Sequence, residues 1–251
     1  MGEDKLKGYK IPVKSKGKNP YFCGRAEIFS KIEEIFVNSE GALERKEISL
    51  HGLGGVGKSE IALEYVHKHK AMYSSVFWIN VSIDSANPPT TSEQESEIVM
   101  ETSARSAVHQ IINHYDESSG TSRLPNHYQT IAQRFKLTDK GISTHHDLME
   151  AIEKSSSIKL LKFWLQEERN DRWFLILDNC NDPKYDLDAI LPPTNTGHVL
   201  IIGYKPNSRI GSQPVHVPEK INLGDSIDMF LKASKKDRET LKSQGSLFHP
   251  Y

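Results

Sequence analysis

The run from Gly52 to Ser59 reads Gly-Leu-Gly-Gly-Val-Gly-Lys-Ser and fulfils every fixed position of the phosphate-binding pattern G-x-x-x-x-G-K-[ST]. Glycines allow a backbone to close around an anion so that its N–H groups and the start of the following helix face the phosphates. Lys58 would supply a positive charge, and Ser59 would offer a hydroxyl to Mg²⁺. The loop therefore predicts a nucleotide site that includes the glycines Gly52, Gly54, Gly55 and Gly57.

A second element of such a site is an apolar strand that ends in an acid. The run Trp173–Asp178 is continuously apolar up to its last residue, as is typical of a central parallel strand with both faces buried. An acid in this position commonly only caps a turn, but the loop upstream favours a role in holding Mg²⁺. Asp178 and Ser59 are thus the candidate metal ligands, and Lys58 and Asp178 the candidate catalytic residues.

Apolar runs and helical spacings alternate along the rest of the chain. The predicted strands are 48–51, 76–81, 173–178, 198–202 and 215–217, and the predicted helices cover 28–36, 61–66, 104–115, 128–135 and 158–165. This alternation favours an α/β fold in which helices cover both faces of the sheet and the ligand lies at the carboxyl ends of the strands. We expect a P-loop NTPase of three αβα layers, with a five-stranded, mainly parallel sheet in the order 5-1-4-3-2.

Composition limits the other possibilities. A net charge of −1 over 251 residues argues against a nucleic-acid-binding domain. Apolar runs are too short to span a bilayer, and the first residues lack a signal-type apolar stretch, so a cytoplasmic protein without a membrane segment is expected. Two cysteines and scattered histidines give no spacing for a disulfide framework or a closed metal cluster.

Five motifs in order give the chain a family resemblance. They are Asn19–Arg25, the glycine-rich loop, Val76–Val81, a tryptophan-leucine pair before the strand that ends in Asp178-Asn179, and Gly197–Ile201. Together they resemble the nucleotide-binding domain of NB-ARC proteins, which belong to the STAND class of signalling ATPases. The motif sequences are most similar to those of NOD-like receptors of filamentous fungi.

The resemblance implies a function. Family members bind ADP or ATP with Mg²⁺, hydrolyse slowly, and use the nucleotide state to control conformation and oligomerisation in innate immunity or programmed cell death. It implies adenine contacts at Phe22, Gly24 and Arg25. The implied phosphate contacts are Gly55, Val56, Gly57, Lys58, Ser59 and Glu60.

Three departures from the family bear on catalysis and size. Asn179 replaces the acid that can follow the Mg²⁺ aspartate, so hydrolysis is expected to be slow unless Asp182 reaches the site. Tyr204 stands where the family has an arginine for the γ-phosphate, and Lys205 or Arg209 could take its place. The segment 84–125 is longer than usual and reads as an insertion. A turnover ATPase or P-loop kinase is the alternative function.

The resemblance also suggests a division of the chain. We expect a flexible segment at 1–18, the nucleotide-binding domain at 19–233 and a charged tail at 234–251. Asp225 is expected to cap a final helix that turns Ile227, Phe230 and Leu231 inward. The family's winged-helix, repeat sensor and effector domains are not expected within these 251 residues. They and homo-oligomer partners are expected of a longer parent, whereas this chain alone, an excised domain or a short natural protein, is expected to be a monomer.

Overall fold

A computed structural model describes residues 18–37, 44–81, 92–118, 127–137, 141–167, 170–181, 186–207 and 212–234. Its centre is a sheet of five strands that all pair in parallel. Along the chain these are β1 Lys46–His51, β2 Ser75–Asn80, β3 Trp173–Asp178, β4 His198–Gly203 and β5 Ser212–His216. Their spatial order, β2-β3-β4-β1-β5, is the predicted 5-1-4-3-2 order seen from the other edge, so the fold prediction is confirmed.

Seven helices lie among the described residues. They are α1 Ala26–Phe36, α2 Lys58–His69, α3 Ser92–Ser118, α4 His127–Arg134, α5 His145–Glu153, α6 Ser157–Leu165 and α7 Leu223–Ser234, and a short 3-10 helix covers Leu187–Ala189. Helix α3 is much longer than the predicted 104–115, and α5 was not predicted. No helix in the described parts is both long enough and apolar enough to cross a bilayer.

Helices cover both faces of the sheet, which makes three layers. On one face, α1 and α2 bury residues such as Ile32 and Tyr65 against β1 and β4. On the other face, α3 to α6 pack against β2, β3 and β4, with Trp164 and Ile111 fully buried. Every residue of β3 and β4 is buried, which explains their continuous apolar sequences. The carboxyl ends of β1, β3 and β4 lie at the same edge of the sheet, with Gly203 paired to His51 of β1 and Asp178 one strand further away.

Gly197 lies immediately before β4 and permits a close approach in the core. Its φ is 81°, and a Cβ built on it would overlap the indole ring of Trp173. The indole Nε1 of Trp173 donates to the Leu165 carbonyl at 3.1 Å, so the ring itself is held in place. Glycine is therefore required at position 197 by both conformation and space.

Helix α7 corrects one prediction. Its start is capped by Asn222, whose side-chain oxygen accepts from the Asp225 N–H at 2.7 Å, so Asp225 is inside the helix and is not its cap. Leu231 is buried as predicted, but Phe230 is 63% exposed. The prediction that Phe230 points inward was wrong because Leu231, one residue further along the helix, takes the inward position.

Several predicted segments lie outside the described residues. They are residues 1–17, most of the predicted tail (235–251) and the stretches 82–91 and 119–126 of the predicted insertion. Lys18, at the edge of the predicted N-terminal segment, forms an ion pair with Glu64 of α2 at 3.3 Å. The predicted domain boundaries stay predictions.

Candidate nucleotide-binding site

The glycine-rich loop connects β1 to α2, as predicted. Three of its glycines have positive φ: 151° at Gly52, 79° at Gly55 and 91° at Gly57. A Cβ on Gly52 would lie 2.6 Å from the Val217 carbonyl oxygen, whereas a Cβ on Gly55 or Gly57 would meet no atom within 4 Å. The loop is therefore packed on its outer side and open on the side that faces the start of α2, where a phosphate would need room.

Lys58 is the first residue of α2 and its ammonium turns back onto the loop. Nζ donates to the carbonyl oxygens of Gly52 at 2.9 Å and Leu53 at 2.8 Å, and the residue is 9% exposed. Burial lowers the pKa of Lys58, while the negative charge of Asp178 acts in the opposite direction. The positive charge is thus held at the base of the open space, next to the N–H groups that start the helix.

Ser59 and Asp178 meet as the sequence predicts. The Ser59 hydroxyl donates to the two carboxylate oxygens of Asp178 at 3.0 and 3.2 Å. The same carboxylate accepts from Trp78 Nε1 at 3.2 Å and from the Asn179 N–H at 2.9 Å. Oxygens about 3 Å apart match neighbouring ligands of an octahedral Mg²⁺ with bonds of about 2.1 Å. A hydroxyl and a carboxylate are also hard oxygen donors, so this pair fits Mg²⁺ when it is bound with phosphates.

Asn179 follows Asp178 in the left-handed region, with a φ of 66°. Its side-chain nitrogen donates to the Asn80 side-chain oxygen at 2.9 Å, which ties the end of β3 to the end of β2. An amide cannot take a proton from an attacking water. Asp182, the other acid considered in the sequence, lies outside the described residues.

Tyr204 directly follows β4 and covers the entrance of the loop. Its ring centroid lies 5.4 Å from Lys58 Nζ, and its Cε1 would be 3.5 Å from a Cβ on Gly54. The Tyr204 N–H donates to the Asn181 side-chain oxygen at 3.0 Å. Lys205, next along the chain, is exposed, and Arg209 lies outside the described residues.

These groups surround a cavity of about 330 Å³ at the carboxyl edge of the sheet. Its lining residues are Gly54, Gly55, Gly57, Lys58, Ser59, Glu60, Asp178, Asn179, Asn181, Ile202, Gly203 and Tyr204. Seven of the predicted site residues thus share one cavity, together with Tyr204 and the two asparagines. Asn181 and Trp78 were not predicted to bear on the site, since neither belongs to a recognisable motif.

The predicted adenine segment is held between the loop and α7. Arg25 has a φ of 61° and donates from its two terminal nitrogens to the Pro218 carbonyl at 2.7 Å and the Val56 carbonyl at 3.0 Å. A Cβ on Gly24 would overlap the Asp225 carboxylate. The Phe22 ring packs edge-on against Phe29 with centroids 5.7 Å apart.

Arg25 joins the predicted adenine segment to the glycine-rich loop. Phe22, Gly24, Arg25, Gly52 and Val56 do not line the cavity. Arg25 instead fixes the loop through the Val56 carbonyl. Contacts of these residues with a nucleotide stay predictions.

Two further groups adjoin the loop. Glu60 accepts from the Asn19 side-chain nitrogen at 3.1 Å, which joins the start of α2 to the segment before α1. His51 ends β1, with its ring centroid 5.1 Å from that of His216. Burial lowers the pKa of His51, and the charges of His216 and Lys58 lower it further. The neutral form of His51 is therefore favoured, and Lys58 supplies a positive charge beside the loop. Among the described residues, no group of three or more His, Cys, Asp or Glu side chains could hold a metal.

No protein-family model matches this chain. A nucleotide-binding leucine-rich repeat (NLR)-like protein from Hyaloscypha variabilis is 25% identical over 199 residues, which cover 78% of this chain and 15% of that protein. The matched region thus spans about a seventh of the relative's length. This distant similarity supports a nucleotide-binding domain of the NOD-like receptor type at the level of the family, and it agrees with a P-loop NTPase fold.

Proposed function

We propose that this chain is the ADP- and ATP-binding switch domain of a NOD-like receptor-type signalling ATPase of the NB-ARC kind. Bound nucleotide and Mg²⁺ would set its conformation and, in a longer cytoplasmic parent, the association of flanking effector and repeat sensor domains into an oligomer. The signalling output would be an innate immune or cell-death response.

The observation that carries the proposal is the convergence of three phosphate-site elements on one cavity. The open glycine loop, the buried Lys58 ammonium and the Ser59–Asp178 pair all line it. A phosphate oxygen would take over the hydrogen bonds that Lys58 now gives to the loop carbonyls, and the first N–H groups of α2 would face the same phosphate. The role of Mg²⁺ would be to neutralise the negative charge of adjacent phosphates between Ser59 and Asp178.

The polar groups beyond Asp178 favour a switch over a turnover enzyme. At the position that could orient or deprotonate water there is the Asn179 amide, which is already bonded to Asn80. After the neighbouring strand β4, the described part of the chain lines the cavity with the phenol of Tyr204 and not with a cation. Among the described residues that line the cavity, the carboxylates are those of Asp178 and Glu60. The lack of a further base among them favours retention of the nucleotide over its rapid cleavage.

The direct test is to identify the nucleotide that co-purifies with the protein. Denaturation followed by anion-exchange chromatography should release an adenine nucleotide in near-stoichiometric amount, and calorimetry on the stripped protein should show ADP binding. Phosphate release from ATP should take minutes or longer per turnover, against a median near 10 s⁻¹ for enzymes. Rapid multiple turnover would assign the chain to the ATPase or kinase class. Failure to bind any nucleotide would overturn the proposal altogether.

A further inference from the structure

Tyr204 is an exposed aromatic residue, and its described contacts are with residues that line the cavity. The residue is 55% exposed, although a tyrosine of the core such as Tyr65 is fully buried. Its backbone is fixed by Asn181, while its ring rests against the loop at Gly54 and over Lys58. Within the described residues, its hydroxyl has no hydrogen-bond partner. The ring therefore contributes to the cavity more than to the core.

The position of the ring relates to the number of phosphates that the cavity can accept. This step rests on the proposed function. The lysine of such a loop reaches the second and third phosphates, and the metal between Ser59 and Asp178 would adjoin both. The third phosphate would then lie beyond the Lys58 ammonium, toward the ends of β3 and β4. Tyr204 follows β4 and places its ring on that side of Lys58.

We infer that Tyr204 is a specificity-determining residue that makes this site favour a nucleoside diphosphate over the corresponding triphosphate. A diphosphate occupies the loop and leaves the ring where it is. A triphosphate must move the ring off Lys58, and the phenol then gives the added negative charge a neutral hydroxyl in place of a cation. The ring, more than its hydroxyl, sets the preference.

The size of the effect follows from the contact that is lost. An ammonium over an aromatic face at an exposed site contributes roughly 0.5–1 kcal/mol, which corresponds to about a two- to fivefold change in affinity. We therefore expect the ratio of triphosphate to diphosphate dissociation constants to fall by about two- to fivefold when the ring is removed. Tyr204→Arg should lower the ratio further, because the arginine also supplies a planar cation to the third phosphate.

The experiment compares Tyr204→Ala with Tyr204→Phe as its matched control. Titration calorimetry with Mg²⁺ measures the dissociation constants of ADP and of a non-hydrolysable ATP analogue for the stripped wild type and each variant. The alanine change should lower the triphosphate-to-diphosphate ratio, and the phenylalanine change should leave the ratio at the wild-type value. Lys159→Ala, a change at an exposed side chain of α6 that does not line the cavity, should also leave the ratio unchanged. Because Tyr204 is largely exposed, these variants should fold, and Tyr204→Ser replaces the alanine variant if that one aggregates.

Each outcome decides a different question. An unchanged ratio in Tyr204→Ala or Tyr204→Ser overturns the inference while the wild type still binds ADP. A ratio that falls equally in Tyr204→Phe assigns the effect to the hydroxyl and overturns it as well. A wild type that binds neither nucleotide contradicts the proposed function itself and not only the role of Tyr204.

Discussion

Ser59 and Asp178 are separated by 119 residues in the sequence and by one hydrogen-bonded contact in the structure. The contact exists because α2 begins where the loop after β1 ends, and β3 ends at the same edge of the parallel sheet. Trp78, at the neighbouring strand β2, donates to the same carboxylate and limits its rotation. The oxygen pair is therefore assembled by the sheet order itself, before any ligand binds.

Asp178→Asn should remove the dependence of nucleotide binding on Mg²⁺. The amide keeps the size of the side chain but loses the charge that a divalent ion requires. Calorimetry of ATP-analogue binding with and without excess Mg²⁺ measures this: the wild type should bind more tightly with the ion, and the variant should bind equally in both conditions. Asp171→Asn makes the same change in charge before the opposite end of β3 and should retain the Mg²⁺ effect. Mg²⁺ sensitivity that survives in Asp178→Asn would show that another group holds the ion.

Lys58→Ala should weaken ADP binding at least about tenfold and leave the fold intact. Among the described residues, the ammonium donates to two loop carbonyls and faces an open cavity, so its loss opens no void in the apolar core. A charge-assisted bond to a phosphate is worth about 1.5–3 kcal/mol or more. Calorimetry for ADP and circular dichroism for the fold are the measurements. Lys70→Ala, at the exposed end of the same helix, is the control and should bind normally. A folded Lys58→Ala protein with wild-type affinity would refute the site assignment.

Gly197→Ala should destabilise the protein by about 3 kcal/mol or more, because the new methyl group meets the Trp173 ring and the backbone adopts a φ of 81°. Urea unfolding followed by tryptophan fluorescence gives the free energy of unfolding. Gly141→Ala adds the same methyl group where no atom lies within 4 Å, and it should change the free energy by less than about 0.5 kcal/mol. Equal stability of the two variants would mean that the core at Gly197 is looser than described.

His198 should make stability fall in mild acid. It lies in the core with Nδ1 2.9 Å from the Tyr73 hydroxyl and its ring stacked on Phe36, and burial, followed by the charge of Lys46, lowers its pKa to about 4. The unfolded state, with a pKa of 6.5, takes up a proton first. The contribution of His198 to the free energy of unfolding is therefore fully present above pH 6.5. It is lost as the pH falls from 6.5 to 4, by about 3 kcal/mol in all.

The comparison with His198→Asn isolates this group, because an asparagine can keep a polar atom near Tyr73 but does not titrate. The melting temperature of the wild type should fall more steeply between pH 6.5 and 4 than that of the variant. Parallel curves would indicate that the pKa of His198 is not lowered in the folded protein.

The strands and their order could be predicted because burial on both faces leaves a continuous apolar signal in short segments such as β3 and β4. Helix α5 was missed although Thr144 and Asp147 form a capping box and Leu148, Ala151 and Ile152 recur at helical spacing. The pattern is only nine residues long, and it begins with two histidines, which have a weaker helix propensity. In α7 both Phe230 and Leu231 were predicted to point inward because both are apolar, but adjacent residues of a helix point about 100° apart and only Leu231 of the two is buried.

The candidate site divides along similar lines. The loop, Lys58, Ser59 and Asp178 belong to motifs whose spacing encodes their chemistry, and the structure brings them to one cavity. The position of the Tyr204 ring over Lys58 depends on where a side chain after β4 turns, which no local pattern specifies. The same holds for the bonds of Arg25 to carbonyls 31 and 193 residues away.

The two bonds of Arg25 have a mechanical consequence. One planar guanidinium holds the carbonyl of Val56 in the loop and that of Pro218 beyond β5, so a displacement of either segment by about 1 Å would stretch a hydrogen bond beyond its range. The energy needed to move one segment thus depends on the position of the other, and such a dependence acts equally in both directions. A displacement of the chain after Pro218 would therefore be transmitted to the loop at Val56, and a loop held in place would resist that displacement.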